Sequence, residues 1–324
     1  MARFHSYEDV THLLVHGHLP TPDESKQFMK RMIELRNIGE QDIDSILSEF
    51  GSIQGSFTLD SPEVLVSIGL KRFIEKLDFY KDDHGLSAMD TALLFVSMAP
   101  VVVAAEWRKI HGKIPITSRN TLGHSTNFLW MLNETTLDDL AARELETSMI
   151  LHMDDPDNPS LSALESTYRS TDSVSKATLA ALDKHVSTLH HGAGTEAMRM
   201  IKEIGGHPQV SNLLEYRLGR GEKIFGLGHR IYRSMDPRAK VLREILKRRG
   251  EEDTRWAKRL SDIDEIAEVG SGLILEKKGK AVHPNVDLYN AAVYESFGIS
   301  YLLNTDLFAI ARSAGWAAHI LELQ

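Results

Sequence analysis

Apolar residues recur at three- and four-residue spacing along nearly the whole chain, in segments of roughly 10 to 20 residues parted by Gly, Pro and polar clusters. That periodicity predicts helices. Their starts are legible as caps. Ser6 precedes Tyr-Glu-Asp-Val, with Asp9 at the capping-box position, and Thr21 precedes Pro22 at a first helical position. Ser61-Pro-Glu, Ser87-Ala-Met-Asp, Thr136-Leu-Asp-Asp and Ser173-Val-Ser read the same way. Alternating, strand-like runs are few and short. The stretch Ala92 to Ala105 is apolar throughout. It is shorter than the roughly 20 residues a bilayer requires and contains Pro100, so it predicts a buried core helix rather than a membrane span. Gly192 to Gly206, Gly219 to Gly228 and Gly270 to Lys280 read as loops, and Lys247-Arg-Arg-Gly-Glu-Glu-Asp as a solvated helix end.

With 324 residues, the chain has room for about two domains. The absence of cysteine excludes a disulfide framework, thiolate zinc sites, iron–sulfur clusters and a cysteine nucleophile. A formal charge of −9 argues against a general nucleic-acid binder but leaves room for a local basic site that takes an anion. Met1-Ala-Arg-Phe-His-Ser runs into an amphipathic segment without a secretory pattern. The expectation is a cytoplasmic protein, with an organelle matrix as the alternative.

Three short motifs pair a titratable residue with a tight turn. In Leu189-His-His-Gly-Ala-Gly-Thr-Glu-Ala, a glycine-bearing turn leads into a helix expected near Thr195. A histidine placed there meets the positive end of a helix dipole, which favours neutral imidazole; a loop histidine without a role is the alternative. In Lys223-Ile-Phe-Gly-Leu-Gly-His-Arg-Ile-Tyr-Arg-Ser-Met-Asp-Pro-Arg, Gly226 and Gly228 permit close backbone approach. His229, Arg230, Arg233 and Arg238 follow, a local anion site in an acidic protein. It is neither a dinucleotide fingerprint nor a P-loop; a solvated basic helix face is the alternative. In His283-Pro-Asn-Val-Asp-Leu-Tyr, Asp287 follows a rigid lead-in. A carboxylate so held acts as a general base if partly desolvated, or it is an Asx turn or helix cap. His12, His16 and His18 have metal-compatible spacing but no completing carboxylate, and no metal site is expected. A G-x-S-x-G elbow is also missing, which disfavours a serine hydrolase.

Taken in order, the motifs resemble the citrate synthase family. The resemblance rests on His191-Gly-Ala-Gly-Thr-Glu-Ala, on Gly226-Leu-Gly-His-Arg-Ile-Tyr-Arg-Ser-Met-Asp-Pro-Arg, on Pro284-Asn-Val-Asp and on Leu307-Phe-Ala-Ile-Ala-Arg-Ser-Ala-Gly-Trp-Ala-Ala-His-Ile-Leu-Glu. Weaker similarity begins near His5-Ser-Tyr-Glu-Asp-Val and runs through Asn127-Phe-Leu-Trp-Met-Leu. The resemblance implies a mainly α, two-domain fold with the site in the interdomain cleft, and a homodimer. The large domain would comprise residues 1–189 and 289–324, and the small one residues 190–288. The implied reaction condenses acetyl-CoA, a co-substrate rather than a bound cofactor, with a 2-keto acid such as oxaloacetate, and then hydrolyses the thioester. Asp287 would be the base, with His191 and His229 as hydrogen-bond donors. Arg238, Arg312, Asn158 and Asp155 would lie against the keto acid. Lys223, Phe225, Gly226, Gly228 and Arg233 would lie against CoA.

Several positions depart from the family's pattern. In His152-Met-Asp-Asp-Pro-Asp-Asn-Pro-Ser, Asn158 and Ser160 fit, but Asp155 stands where the family carries a substrate-contacting histidine. An anionic Asp155 beside a dicarboxylate repels it unless protonated or paired. His190 and Thr195 replace commoner residues of the first motif. Both termini are expected to be short, without the family's lead-in segment or the further arginine that it supplies after the Ala-His-Ile-Leu-Glu segment. Three readings follow: a citrate synthase with altered contacts, a 2-methylcitrate or alkylcitrate synthase, and a non-catalytic paralogue that binds or regulates.

Overall fold

A computed structural model describes residues 2–47, 68–186 and 192–324. Among these the chain is mainly helical, with one isolated antiparallel bridge, Leu227 to Pro284, and no strands. It divides into two compact units. One comprises Met1–Thr188 and Asp306–Gln324, the other Leu189–Thr305.

The first unit opens with α1 (Tyr7–His16) and α2 (Pro22–Glu40). Both start with the capping boxes read from sequence, Ser6 with Asp9 and Thr21 with Glu24. Next come α3 (Ile43–Leu47), α4 (Ile68–Glu75), α5 (Leu77–His84) and α6 (Ala88–Ile110), the last capped by Ser87. Every residue of α6 from Thr91 to Glu106 is buried, Pro100 included, so this helix has no solvated face between its first and last turns. It is long and apolar enough to cross a membrane, but 83% of its most apolar window is buried inside the protein. α7 (His124–Asn133), α8 (Asp139–Ile150), α9 (Pro159–Thr171) and α10 (Val174–Val186) complete the run. The cap of α8 is Asp138, whose carboxylate accepts from the Ala141 amide at 2.8 Å, and not Thr136, two residues earlier. Ser173 caps α10 through Lys176 N–H as expected, whereas Ser61 lies outside the described residues.

The second unit holds α11 (Ala193–Ile204), α12 (Val210–Gly219), α13 (Pro237–Glu252), α14 (Thr254–Lys278) and α15 (Asn290–Ser296). Two expected loops are helical instead. Gly192 to Gly206 contains α11, whose first residue lies two before Thr195. Most of Gly270 to Lys280 continues α14, because Ile263, Ile266, Ala267, Gly270 and Ile274 keep one buried face through the glycines. Lys247 to Asp253 is the end of α13, with Asp253 then capping α14. The final helix, α16 (Asn304–Glu322), begins at the boundary and runs into the first unit. Residues 289–305, which the resemblance put in the larger domain, pack within the second unit, where α15 lies against α11 and α13.

Candidate active site

Two irregular segments of the second unit carry most of the predicted chemistry, and backbone bonds stitch them together. Gly228 N–H donates to His283 O at 2.8 Å, Asn285 N–H to Gly226 O at 2.9 Å and Asp236 N–H to Pro284 O at 3.1 Å. Asn285 adds its side chain, with Nδ2 donating to Gly228 O at 2.7 Å. The same amide accepts Asp287 N–H on Oδ1 at 2.9 Å, which starts the 3-10 turn Val286–Leu288. The histidine-bearing turn and the carboxylate-bearing turn are therefore one clamp, though more than fifty positions part them in sequence.

The glycines serve that clamp. At Gly226, φ is +81°, and a Cβ there would lie 2.6 Å from Leu288 Cβ and 2.8 Å from its Cα. Only glycine meets both demands. The carbonyl of Gly226, and both the amide and the carbonyl of Gly228, are already bonded within the clamp. Lys223 and Arg233 are exposed on the segments flanking these glycines, and Phe225 is half-buried.

His229 meets donors at both ring nitrogens. Its Nδ1 faces two backbone donors, Ile231 N–H at 3.0 Å and Tyr232 N–H at 3.3 Å. A nitrogen that accepts cannot carry a proton, so these two backbone bonds favour the neutral ring with its proton on Nε2. Nε2 lies 3.3 Å from Arg238 Nη2 and 4.0 Å from Asp236 Oδ2. The guanidinium can only donate, so Nε2 also faces a donor, and a proton on Nε2 requires that contact to give way.

Asp236 fixes the arginine. It is wholly buried, caps α13, and accepts from Arg238 through the backbone N–H at 2.9 Å and through Nη2 at 2.8 Å. Burial opposes its charge, but the Arg238 hydrogen bonds and charge win and hold its carboxyl below the usual range. Asp287 shows the opposite balance. Burial raises its carboxyl to about 6, nearby Asp236 adds to this, and Arg238 and the Asn290 side chain only partly compensate. The carboxyl is deep-set, although the residue as a whole is only half-buried. A base poised near neutrality is the chemical outcome.

His229, Arg238 and Asp287 are therefore brought together. His191 lies outside the described residues. The remaining predicted residues belong to the first unit. Arg312, only 2% exposed, donates from Nε to His152 O at 2.7 Å and faces the Phe308 ring, its guanidinium carbon 5.9 Å from the centroid. Asn158 caps α9 through Ser160 N–H at 3.0 Å and donates its own N–H to Asp155 O at 3.0 Å. Asp155 is partly exposed. Beside it, Asp154 accepts from His319 Nε2 at 3.1 Å. Burial raises the Asp154 carboxyl, but His319 and the Arg312 charge outweigh that and keep it below its ordinary value.

Sequence reasoning did not assign Asp236, Asn285 or Asn290 to the site. Asp236-Pro237 carried the signature of a cap with proline at the first helical position, and Asn285 stood two before Asp287, the spacing of an Asx turn. Among the described residues, no group of three or more His, Asp or Glu could hold a metal ion.

The citrate synthase C-terminal domain family matches residues 1–324. The chain belongs to the citrate synthase family. It is 32% identical over 327 residues to a citrate synthase of Haloferax volcanii, covering 99% of this chain and 83% of the relative. It is 30% identical over 324 residues to a citrate/2-methylcitrate synthase of Bacillus subtilis, covering 98% and 82%. The solved citrate synthase of Pyrobaculum aerophilum superposes with a TM-score of 0.80 at 26% identity, covering 99% of this chain and 80% of that one. The protein is thus an enzyme, a citrate synthase-type transferase, and the non-catalytic reading is set aside. The all-helical, two-domain citrate synthase fold agrees with the class read from the helical periodicity.

Proposed function

We propose that this enzyme condenses acetyl-CoA with oxaloacetate to give citrate and CoA, with Asp287 as the base. The observation that carries the reading is the clamp: it holds a raised-pKa carboxylate, an imidazole and a guanidinium within one small part of the second unit. Asp287 removes a methyl proton from the acetyl group. His191, assigned from sequence alone, donates to the thioester oxygen as the enolate forms; one such donor is worth about 3–4 kcal/mol in the transition state. The nucleophilic carbon attacks the keto carbon, whose oxygen is polarised by His229 Nε2–H. Arg238, beside it, pairs with a keto-acid carboxylate, and Arg312 with another. Water then cleaves the citryl thioester and releases CoA. Lys223 and Arg233 are exposed cations suited to CoA phosphates. The active form is proposed to be a homodimer.

A second acyl donor is favoured by the likeness to the Bacillus subtilis enzyme with citrate/2-methylcitrate specificity, and a second keto acid by the carboxylate at Asp155. The test is thiol release across short acyl-CoAs and 2-keto acids, with Asp287→Asn as the blank. Release from acetyl-CoA plus oxaloacetate above that from every other pair supports the first reading. A faster rate with propionyl-CoA or another keto acid replaces it with the second.

A further inference from the structure

One face of α16 fastens the turn between α8 and α9. Arg312, Gly315, Trp316 and His319 recur at three- and four-residue spacing, so they lie on the same side of the helix. Arg312 Nε donates to His152 O at 2.7 Å, and Trp316 Nε1 to Ser160 Oγ at 3.3 Å. A Cβ on Gly315 would run into Met153 O and lie 2.8 Å from Asp154 Oδ1, so glycine alone allows the approach. His319 closes the row: its Nε2 lies 3.1 Å from Asp154 Oδ1 and its Nδ1 2.9 Å from Glu322 Oε2. Ionised carboxylates only accept, so a ring bonded to both donates from both nitrogens and is an imidazolium. The Asp154 hydrogen bond, with the charges of Asp154 and Glu322, raises the His319 pKa against the effect of burial. Those two carboxylates are the charged groups that face His319, and Arg312 adds its own charge on Asp154. Glu322 is exposed and its pairing is screened by solvent, so Asp154 is the partner that matters.

We infer that His319 is a positioning residue for the keto acid: as a cation on Asp154 it pins the turn whose next residue is Asp155, and with that turn the His152 carbonyl that orients Arg312. The inference rests on the proposed contacts of Arg312 and Asp155 with the keto acid and adds to them the group that holds both in place. His319 acts through the turn, not on a reacting atom. Its folded pKa is raised, so the contact with Asp154 is fully present at acid pH and is lost as the pH rises through the folded value. Deprotonation then leaves at least one nitrogen lone pair against a carboxylate, and the turn loosens. Neither Asp287 nor the residues assigned to CoA lie on this turn, so the effect falls on binding of the keto acid.

The test is the KM of each substrate at pH 6.5 and at pH 9, with acetyl-CoA and oxaloacetate or with the best pair from the substrate panel, in the intact enzyme. In the wild type the keto-acid KM rises about tenfold as His319 loses its charge, while the acyl-CoA KM stays within about twofold. His319→Gln, neutral throughout, has the raised keto-acid KM already at pH 6.5 and shows no further rise. His319→Lys keeps a cation beside Asp154 at both pH values and holds the keto-acid KM low at pH 9. The wild-type comparison stands even where a variant does not fold. A keto-acid KM that is flat in the wild type, or that rises as much in His319→Lys, overturns the inference. Arg312→Lys separates the two levels. An unchanged keto-acid KM there removes the proposed keto-acid contact and this inference together, whereas a raised one with indifferent His319 variants removes the inference alone.

Discussion

Asn285 and Gly228 are bonded side chain to backbone, Nδ2 to carbonyl oxygen, at 2.7 Å. The other end of that amide accepts Asp287 N–H at 2.9 Å. A single side chain thus sets the distance between the turn that presents His229 and the turn that presents Asp287. Asn285→Ala removes both bonds and is expected to lower stability by about 2 kcal/mol. Turnover should fall by tenfold or more, because misplacement on the ångström scale costs about that much or more. Asn285→Asp keeps the acceptor but sets an oxygen against the Gly228 carbonyl, so it should restore little. Urea unfolding and kcat measured on the same preparations check this. An alanine variant with wild-type turnover would show that the clamp does not position the site.

Gly226→Ala should be far more damaging than a glycine substitution that meets only a backbone penalty. At Gly279, φ is +61° and nothing lies within 4 Å of the place a Cβ would take, so Gly279→Ala should cost about 1 kcal/mol. At Gly226 the same φ penalty is joined by a Cβ placed 2.6 Å from Leu288 Cβ, and the turn bearing Asp287 must move. The expected cost is about 3 kcal/mol, with turnover lost as well. Equal unfolding midpoints for the two variants would refute the close approach.

His229 divides its ring between two tasks, and two substitutions separate them. In His229→Asn, the side-chain oxygen falls near the position of Nδ1 and can still accept Ile231 N–H and Tyr232 N–H, so the turn should survive. In His229→Gln, the longer amide reaches towards the Nε2 side and leaves those two backbone donors without their acceptor, at an expected cost of about 1–2 kcal/mol. Restoring a donor on the Nε2 side, Gln should keep more activity per folded molecule than Asn, which should lose about 10²–10³-fold in kcat. The reverse order of activity would contradict the assigned tautomer.

Much of the fold is encoded locally. The caps Ser6, Thr21 and Ser87 are readable because a cap is a short-range device that involves residues three apart. The apolar run in α6 announces its burial through composition alone. By contrast, Gly270 misleads, because glycine's local message is flexibility, while its neighbours Ile266, Ala267 and Ile274 are committed to a buried helical face. The site residues divide in the same manner. His229, Arg238 and Asp287 stand out because their chemistry is visible in each residue. Asp236 and Asn285 work through partners: Asp236 bridges to Arg238, and Asn285 crosses to Gly228. Such roles exist only once the turns are folded together.

The raised carboxyl of Asp287 implies that the site is held at the expense of stability. Its folded value is about 6 against an ordinary 3.8, chiefly through burial, so the folded state binds the proton more tightly than the unfolded chain does. The resulting stabilisation is fully present below the unfolded value and is lost as pH rises through about 6. Above that, the ionised carboxylate should weaken the fold by about 2–3 kcal/mol, nearer the lower figure because the residue is only half-buried. Asp287→Asn removes the titration while keeping the shape. The variant is therefore expected to be more stable than the wild type at pH 8 by about 2 kcal/mol, and close to it at pH 4, where the wild-type carboxyl is itself protonated. Urea unfolding at the two pH values measures both differences. A variant no more stable than wild type at pH 8 would mean that the charge of Asp287 is already compensated by Arg238 and Asn290, and the acid limb of the wild-type rate would then lie well below pH 6.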